Sequence, residues 1–336
     1  MRTFRSASIV FGICCAALLA GCSVPLNSPE STPGSAAGVT SWYRSGIAPK
    51  AIDAFRVARM RGRVQRPSKA RKDLFVADIV NDAVYIFARR AWQNTGSITD
   101  GIGDPDGEFV DKKGNLYVAD FGNVAIEEYG KGASAPSFVY NAGMIDPVDV
   151  TVDRHGNVFE ADFDDEGGDG FVATYKQGTN EADAKCYPGG SVEDVAIDAS
   201  DNVFVSLNFK SGAAGIVEYP HGLKGCMATT LGISLTYAGG LAIDRHGNLL
   251  AVDQVASSIE VIAPPYSSIT GAFGYGFIAP YHITIDNQNN QIYLSDIGHS
   301  AIDVLSYPSG KSLAQLNATQ GLAFPVSAVD GQNYIP

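Results

Sequence analysis

Four carboxylates and one histidine stand at neighbouring positions of a segment that recurs along the chain: Asp106, Asp149, Glu193, Asp194 and His282. Three of them lie seven residues before a recurring turn glycine or its replacement, and Asp106 and Glu193 lie one residue earlier. Carboxylate oxygens suit hard cations such as calcium or magnesium. An imidazole beside acids can also serve in acid–base chemistry, with His282 as the candidate general base. The alternative is a solvated acidic surface without a defined ligand.

The recurring turn reads Asp, two variable residues, Gly and Asn, followed by two apolar residues. Its leading residues are Asp111, Asp153, Asp198, Asp244 and Asp286, spaced by 42, 45, 46 and 42 residues. The aspartate can accept hydrogen bonds from the turn backbone, and Gly or Asn tolerates the left-handed conformation that such a turn needs. Asp201 and Asn289 take the place of this glycine in two copies. A period of this length with several short strands per repeat is typical of a β-propeller blade.

Each copy predicts four strands. Alternating apolar residues precede the turn, a second strand such as Val158–Asp162 follows it, and segments such as Ala125–Tyr129 and Ser137–Tyr140 supply the third and fourth. The aspartates that end most second strands, including Asp120, Asp162, Asp253 and Asp296, recur at one position. We interpret them as acceptors that brace loops.

The two ends of the repeat region complement each other. Asp73–Asp78 is a second strand without a first, whereas residues 323–331 form a first strand without a second. Joined, they make a sixth blade, and the ring closes without an open edge. The sequence therefore predicts an all-β, six-bladed β-propeller of four-stranded antiparallel blades over residues 73–336, with blade one shared between the two ends.

The first strand of each propeller blade lines the central channel, so the acidic residues and His282 are expected at the channel mouth. The equivalent positions read Gly107 and Gly240 in two other copies. In the shared blade, counting from Asp330 gives Val326, preceded by Pro325.

The segment Asp146–Asp162 resembles the NHL repeat, with the pattern Asp-Pro-x-x-Val-x-Val-Asp-x-x-Gly-Asn-Val-Phe-x-Ala-Asp. The resemblance implies a six-bladed NHL-type propeller, and such folds host unrelated activities. Separately, Pro105–Asp111 is similar to a metal-ligand segment of gluconolactonase-like propellers. That second resemblance implies an alternative function, a divalent-metal-dependent hydrolase or lyase of small molecules.

Residues 1–21 have the composition of a targeting segment. Arg2 and Arg5 precede an apolar run from Ala7 to Leu19, which is too short to span a bilayer comfortably. The following Leu-Ala-Gly-Cys resembles a bacterial lipobox, which implies a lipoprotein signal peptide and lipidation of Cys22. An ordinary cleaved signal peptide is the alternative. Ser23 after the cysteine favours the outer membrane.

Two further segments precede the propeller. Residues 22–49 are rich in Ser, Pro and Gly and are predicted to be a flexible tether. Residues 50–72 carry nine Lys and Arg against Asp53 alone, whereas residues 73–336 carry 12 Lys and Arg against 34 Asp and Glu. This basic arm either contacts anionic lipids or envelope polymers, or lies along the acidic propeller. The acidic balance excludes nucleic acid as a partner of the propeller.

Two of the five cysteines, Cys186 and Cys226, remain once the signal segment and Cys22 are set aside. In an exported protein they could form a disulfide. Each is expected near the fourth strand of its own blade, and outer strands of neighbouring blades splay apart, so the sequence leaves the bridge open.

The sequence favours a monomeric, lipid-anchored and non-catalytic propeller of the cell envelope. Its loops and channel mouth would bind a protein or a small ligand. No cofactor is predicted beyond the calcium or magnesium considered for the channel.

Overall fold

A computed structural model describes residues 73–89, 91–163, 169–274 and 276–331, and they form a ring of six four-stranded antiparallel sheets. Each sheet is one blade of a six-bladed β-propeller, as predicted. The first strands of neighbouring blades contact one another around the axis, so they line the central channel. The signal peptide, tether and basic arm predicted for residues 1–72 lie outside the described residues.

The strands follow the repeat order along the chain. They are β1 (Asp73–Asp78), β2 (Ala83–Ala88), β3 (Gln93–Ile98), β4 (Pro105–Val110), β5 (Leu116–Asp120), β6 (Ala125–Tyr129), β7 (Phe138–Tyr140), β8 (Pro147–Val152), β9 (Val158–Asp162), β10 (Phe171–Tyr175), β11 (Ala182–Cys186), β12 (Gly190–Ile197), β13 (Val203–Phe209), β14 (Ala214–Tyr219), β15 (Thr229–Thr230), β16 (Ala238–Ile243), β17 (Leu249–Asp253), β18 (Ser258–Ile262), β19 (Gly271–Phe273), β20 (Pro280–Ile285), β21 (Gln291–Asp296), β22 (Ala301–Ser306), β23 (Ser312–Leu316) and β24 (Pro325–Asp330). The described residues also include 3-10 helices at Lys224–Cys226 and Ala318–Gln320.

The turn between the first and second strands of a blade is held as the sequence predicts. In blade three, Asp153 accepts hydrogen bonds from the backbone N–H groups of His155 and Asn157, both at 2.8 Å. Gly156 takes a φ of 89°, and its replacements Asp201 and Asn289 take φ values of 62° and 59°. The turn aspartates therefore organise the repeat, and the residue three positions later must tolerate the left-handed conformation.

The aspartates that end the second strands brace the loops that enter the same blades, which confirms their predicted structural role. Asp162 accepts hydrogen bonds from the backbone N–H groups of Ile145 (2.7 Å) and Asp146 (3.1 Å). Asp253 does the same for Thr236 at 2.6 Å, and Asp78 for Ala323 at 2.6 Å. These carboxylates hold the loops by accepting backbone N–H groups that no strand of the sheets pairs.

Blade one is completed by strands from both ends of the described chain. β24 pairs with β1 in antiparallel register, with Leu74 opposite Asp330 and Ala77 opposite Ser327. The sheet order β24-β1-β2-β3 confirms the predicted shared blade. This pairing converts an open row of blades into a closed ring and leaves no exposed edge at β1.

Buried ionic contacts support the closure. Arg89, in the turn after β2, forms a salt bridge of 2.9 Å with Asp286 of blade six and a second salt bridge with Asp330 of β24. The same guanidinium donates to Gln291 Oε1 at 2.8 Å. Asp330 and Asp286 are almost fully buried, so Arg89 neutralises two carboxylates that water cannot reach.

The core consists of apolar layers between facing blades. Leu74 and Phe87 of blade one pack with Tyr293 and Ile302 of blade six, so the ring closes through packing as well as through hydrogen bonds. Blades one and two share a similar layer. Alternating residues of each strand supply these layers, which explains why second strands such as β9 are buried on both faces.

A disulfide joins Cys186 and Cys226 across blades three and four, with a Cα separation of 5.4 Å. Cys186 ends β11, the outermost strand of blade three, and Cys226 ends the 3-10 helix between β14 and β15. Leu223, just before this helix, is buried in the apolar layer that contains Cys186. The connection between β14 and β15 therefore packs against blade three. This contact brings Cys226 close to Cys186 although the outer strands of neighbouring blades were expected to lie apart.

Within the described part of the chain, none of the helices has the length and apolar character needed to cross a bilayer.

We expect a chain that ends at Gln320 to lose the closed ring, because it lacks β24. Val326 and Val329 are at most 2% exposed. Their lost burial is worth on the order of 1–3 kcal/mol each. The melting temperature should fall by at least about 10 °C, or cooperative unfolding should disappear, as measured by circular dichroism.

A chain that ends at Gly331 keeps all of β24 and is the matched control. It should melt within about 2 °C of the full chain. Equal melting temperatures for the chains ending at Gln320 and at Gly331 would contradict the shared blade.

Candidate functional site

The structure brings the five predicted site residues together at the mouth of the channel. Asp106 lies on β4, Asp149 on β8, Glu193 and Asp194 on β12, and His282 on β20. All five side chains are buried, with between 0% and 7% of their surface exposed. They form a compact polar cluster inside the ring rather than a solvated acidic surface.

His282 ties three alternate blades together across the channel. Its Nε2 lies 3.0 Å from Oδ1 of Asp106 in blade two, and its Nδ1 lies 3.1 Å from Oδ2 of Asp194 in blade four. One imidazole therefore connects blade six to blades two and four, and a carboxylate lies at hydrogen-bond distance from each ring nitrogen.

The imidazole between these carboxylates favours the protonated form. Burial alone would lower the pKa of His282, but the hydrogen bonds with Asp106 and Asp194 outweigh it and hold the pKa well above its ordinary value. With a carboxylate on each ring nitrogen, His282 has no free nitrogen to accept a proton from a substrate, which does not favour the general-base role considered for this residue.

Asp149 and Asp194 form a carboxyl pair beside His282. Burial, and then the charge of Asp194, raises the pKa of Asp149 well above its ordinary value. One oxygen of each carboxyl lies within 4.8 Å of the other, and Asp149 Oδ2 accepts the backbone N–H of Val195 at 3.1 Å. Two adjacent carboxylates that water cannot reach hold a proton more tightly than isolated ones.

Glu193 has a different environment from its neighbour Asp194. Its Oε1 accepts a hydrogen bond of 2.7 Å from Nδ2 of Asn208, and Asn208 Oδ1 accepts the backbone N–H of Ala238 at 3.0 Å. Burial raises the pKa of Glu193 to about 8. Glu193 thus connects blade four to blade five as a neutral acid at pH 7.

Three site residues escape the sequence reasoning: Tyr281, Glu108 and Ser327. Tyr281 donates its hydroxyl to Asp106 Oδ2 at 3.1 Å. Ser327 donates to the carbonyl oxygen of Asp106 at 2.7 Å and lies 3.2 Å from Oε2 of Glu108. Burial raises the pKa of Glu108 to about 8. The sequence contained a signal for Tyr281, because it directly precedes the mouth residue His282. Asp106 and Glu193 were selected for the same position, directly before Gly107 and Asp194.

Ser327 corrects the position assigned to the shared blade. Asp149 lies opposite Ala161 and Ser327 lies opposite Ala77, the equivalent alanines of two blades. The mouth residue of blade one is therefore Ser327 and not Val326. The prediction was wrong by one residue because it treated Asp330 as the counterpart of the turn aspartate Asp153. Asp330 is instead the last residue of β24 and pairs with Leu74, whereas Asp153 follows β8 and begins the turn.

Gly107 and Gly240 hold the mouth positions of blades two and five because atoms of the next blades lie in the space a Cβ would take. These atoms belong to Asp149 beside Gly107 and to the backbone of β20 beside Gly240. A Cβ at Gly107 would collide with Asp149 Oδ1. A Cβ at Gly240 would lie 2.9 Å from the Cα of His282 and 2.7 Å from the backbone nitrogen of Ile283. Each glycine therefore admits the polar residue of the neighbouring blade.

Among the described residues, Asp149, Asp194 and His282 are the set that could hold a metal ion. One ligand atom from each lies within 4.8 Å of the others. A cavity of about 80 Å³ begins at these residues and continues along the channel past Val195 and Thr284. It has room for a few water molecules or a small ion.

Comparisons with known proteins support the fold and give no information about the site. No family model matches the chain, and no curated protein sequence matches it. A chain in the crystal structure of a nidogen/laminin complex superposes with a TM-score of 0.64 at 12% identity, over 78% of this chain and 100% of that one. A chain of Kuenenia stuttgartiensis hydrazine synthase has a TM-score of 0.54 at 10% identity, over 70% of this chain and 93% of that one. At such identities the likeness establishes the β-propeller fold alone.

We expect the protein to be most stable in mildly acidic solution and to lose stability as the pH rises from 5 to 9. Burial raises the pKa of Asp120 to about 7, of Glu193 to about 8 and of Glu127 to about 9. Between their ordinary values and these pKa values, the folded state binds more protons than the unfolded state. The free energy of unfolding therefore falls with rising pH. The melting temperature should drop by about 5 °C or more across this range.

Glu127→Gln removes one of these buried acids without changing its shape. It should reduce the pH dependence and raise the melting temperature at pH 8.5, whereas Glu181→Gln at an exposed position should change neither. A wild-type melting temperature that rises between pH 5 and pH 9 would contradict the buried neutral acids.

Proposed function

We propose that this chain is a lipid-anchored, non-catalytic binding propeller of the bacterial cell envelope, of the NHL-repeat type. Its channel-mouth face would receive a protein or a small ligand. Residues 1–21 are the lipoprotein signal peptide in this proposal, Cys22 carries the lipid, residues 22–49 are the tether and residues 50–72 the basic arm. The protein acts as a monomer at the outer membrane.

The observation that carries a binding role is the character of the mouth face. The loops that lead into first strands, or join second to third strands, lie at the same end of the blades as the buried cluster. They expose the apolar side chains of Val124, Ile145, Val255 and Ile278, which are between 37% and 50% exposed. Together these side chains would give a partner apolar contacts around a polar centre.

A metal-dependent hydrolase or lyase is the second candidate, because Asp149, Asp194 and His282 have the residue types and proximity of a metal site. The geometry supports a binding role better. His282 is held by Asp106 and Asp194 at both nitrogens, and the cluster is almost closed to solvent. A catalytic role would require a substrate to reach side chains that are at most 7% exposed.

We expect Cys22→Ser to move the protein from the membrane fraction to the soluble fraction, because it removes the thiol that would carry the lipid. Incorporation of a labelled fatty acid should be lost at the same time. Cys15→Ser, in the predicted signal segment, is the control and should keep both the label and the membrane fraction. Continued lipid-dependent sedimentation of the Cys22→Ser protein would contradict the anchor.

A photo-crosslinking residue at position 255 should capture a binding partner in the cells that make the protein. The same residue at position 313 is the matched control. Val255 and Leu313 are both 50% exposed, but Leu313 lies on the outermost strand of blade six. We expect discrete adducts, identified by mass spectrometry, at position 255 and at least about tenfold fewer at position 313. Equal adduct patterns at the two positions would contradict a binding surface at the mouth.

A further inference from the structure

The channel cluster contains a donor set in which one nitrogen and two oxygens converge. His282 Nδ1 and Asp194 Oδ2 are 3.1 Å apart. Two ligands bound to one ion at about 2.0–2.2 Å lie roughly 3.0–3.5 Å from each other. The hydrogen bond between these two atoms therefore has a length that coordinated ligands also show, so an ion could replace the proton between them. Asp149 completes the set, with an oxygen within 4.8 Å of both.

Asp106 and Tyr281 orient the histidine for coordination through Nδ1. Nε2 of His282 lies 3.0 Å from Asp106 Oδ1, and Asp106 Oδ2 accepts the hydroxyl of Tyr281 at 3.1 Å. A carboxylate that accepts the Nε2 proton fixes the imidazole ring, and an ion at Nδ1 would take the place of the hydrogen bond with Asp194. Asp106 thus has the place of a supporting carboxylate rather than that of a ligand.

The surroundings give an ion space and open positions. A Cβ at Gly107 would collide with the carboxyl of Asp149, and a Cβ at Gly240 would lie too close to the backbone that carries His282. The cavity of about 80 Å³ borders Asp149, Asp194 and His282, so water or a ligand atom can complete the coordination. Nearby, Glu108 Oε1 is buried without a hydrogen-bond partner among the described residues.

The donor chemistry selects the class of ion. An imidazole with two carboxylates suits Zn²⁺, Mn²⁺, Fe²⁺ or Co²⁺, which accept mixed nitrogen and oxygen ligands. Calcium takes six to eight oxygens, and magnesium keeps most of its water. The enclosed three-residue set matches neither of these two ions well.

We propose that Asp149, Asp194 and His282 bind one first-row transition-metal ion at the mouth of the channel, with Asp106 holding His282 in place. The site uses three of the five residues for which calcium or magnesium was considered from the sequence, and it differs from that hypothesis in the class of ion. It does not depend on the lipid anchor or on the partner proposed for the mouth loops.

The full chain, purified in detergent, stripped with a chelator and dialysed, is mixed with Zn²⁺, Mn²⁺, Co²⁺, Ca²⁺ or Mg²⁺. We expect one equivalent of zinc or cobalt to remain after gel filtration, as measured by elemental analysis. Bound Co²⁺ should give a visible absorption band. Zinc should raise the melting temperature by about 5 °C or more, whereas calcium and magnesium should leave it unchanged.

Three variants separate this site from binding elsewhere on the surface. Asp149→Asn with Asp194→Asn should abolish retention of the ion. Asp106→Asn should keep one equivalent at saturation but weaken the affinity about 10- to 100-fold. Glu160→Gln changes a fully buried acid of blade three that is not part of the ligand set, and it should bind as tightly as the wild type.

If the double variant fails to fold, the wild-type measurements alone still test the proposal. Less than half an equivalent of zinc and cobalt, with no cobalt absorption band, would overturn the proposal. So would a response to calcium or magnesium equal to that of zinc. Undiminished retention of zinc by a folded double variant would also overturn it.

Discussion

The antiparallel pairing of β24 with β1 is the interaction on which the rest of the structure depends. Asp106 and His282 are 176 residues apart in sequence, yet they lie 3.0 Å apart across the channel because the ring is closed. The same closure places Ser327 of β24 beside Asp106 and Glu108. A row of blades without this pairing would still form hairpins, but it would not bring blades two, four and six around one imidazole. The polar cluster is therefore a property of the ring and not of any single repeat.

Burial of acids without basic partners is the second constraint. His282 is the basic side chain that faces Asp106 and Asp194, and Arg89 forms salt bridges with Asp286 and Asp330 at the closure. Glu193 and Glu127 have no Lys or Arg salt bridge among those found in the described residues, and their raised pKa values follow from that environment. Protons take the place of counter-ions at these positions. This use of protons links the stability of the propeller to the pH of its surroundings, and it makes the channel cluster a place where a cation could replace a proton.

The repeat allowed most of the architecture to be predicted from the sequence, because the same pattern of strands and turns recurs in each blade. Strands such as β1 and β6 have the bounds that the pattern indicated, and the turn and loop aspartates have their expected partners. The prediction failed where the chain departs from the repeat. Asp330 resembles a turn aspartate but ends a strand, which shifted the assignment in the shared blade. The bridge between Cys186 and Cys226 could not be decided, since it depends on a connection that packs against the neighbouring blade. The two contacts of His282 also had no sequence signal, because distances across the channel depend on blade geometry.

The glycines of the mouth explain why the functional signal lay in the variation of the repeat. Gly107 precedes Asp149 around the ring and Gly240 precedes His282, and in both cases the missing Cβ leaves room for the neighbour. Asp194 and Ser327 follow Asp149 and His282 around the ring without a glycine before them, so two of the four polar mouth residues have this extra room and two do not. The two glycines therefore explain the approach of Asp149 and His282 to the axis. A strictly regular repeat would put six identical side chains into the same space.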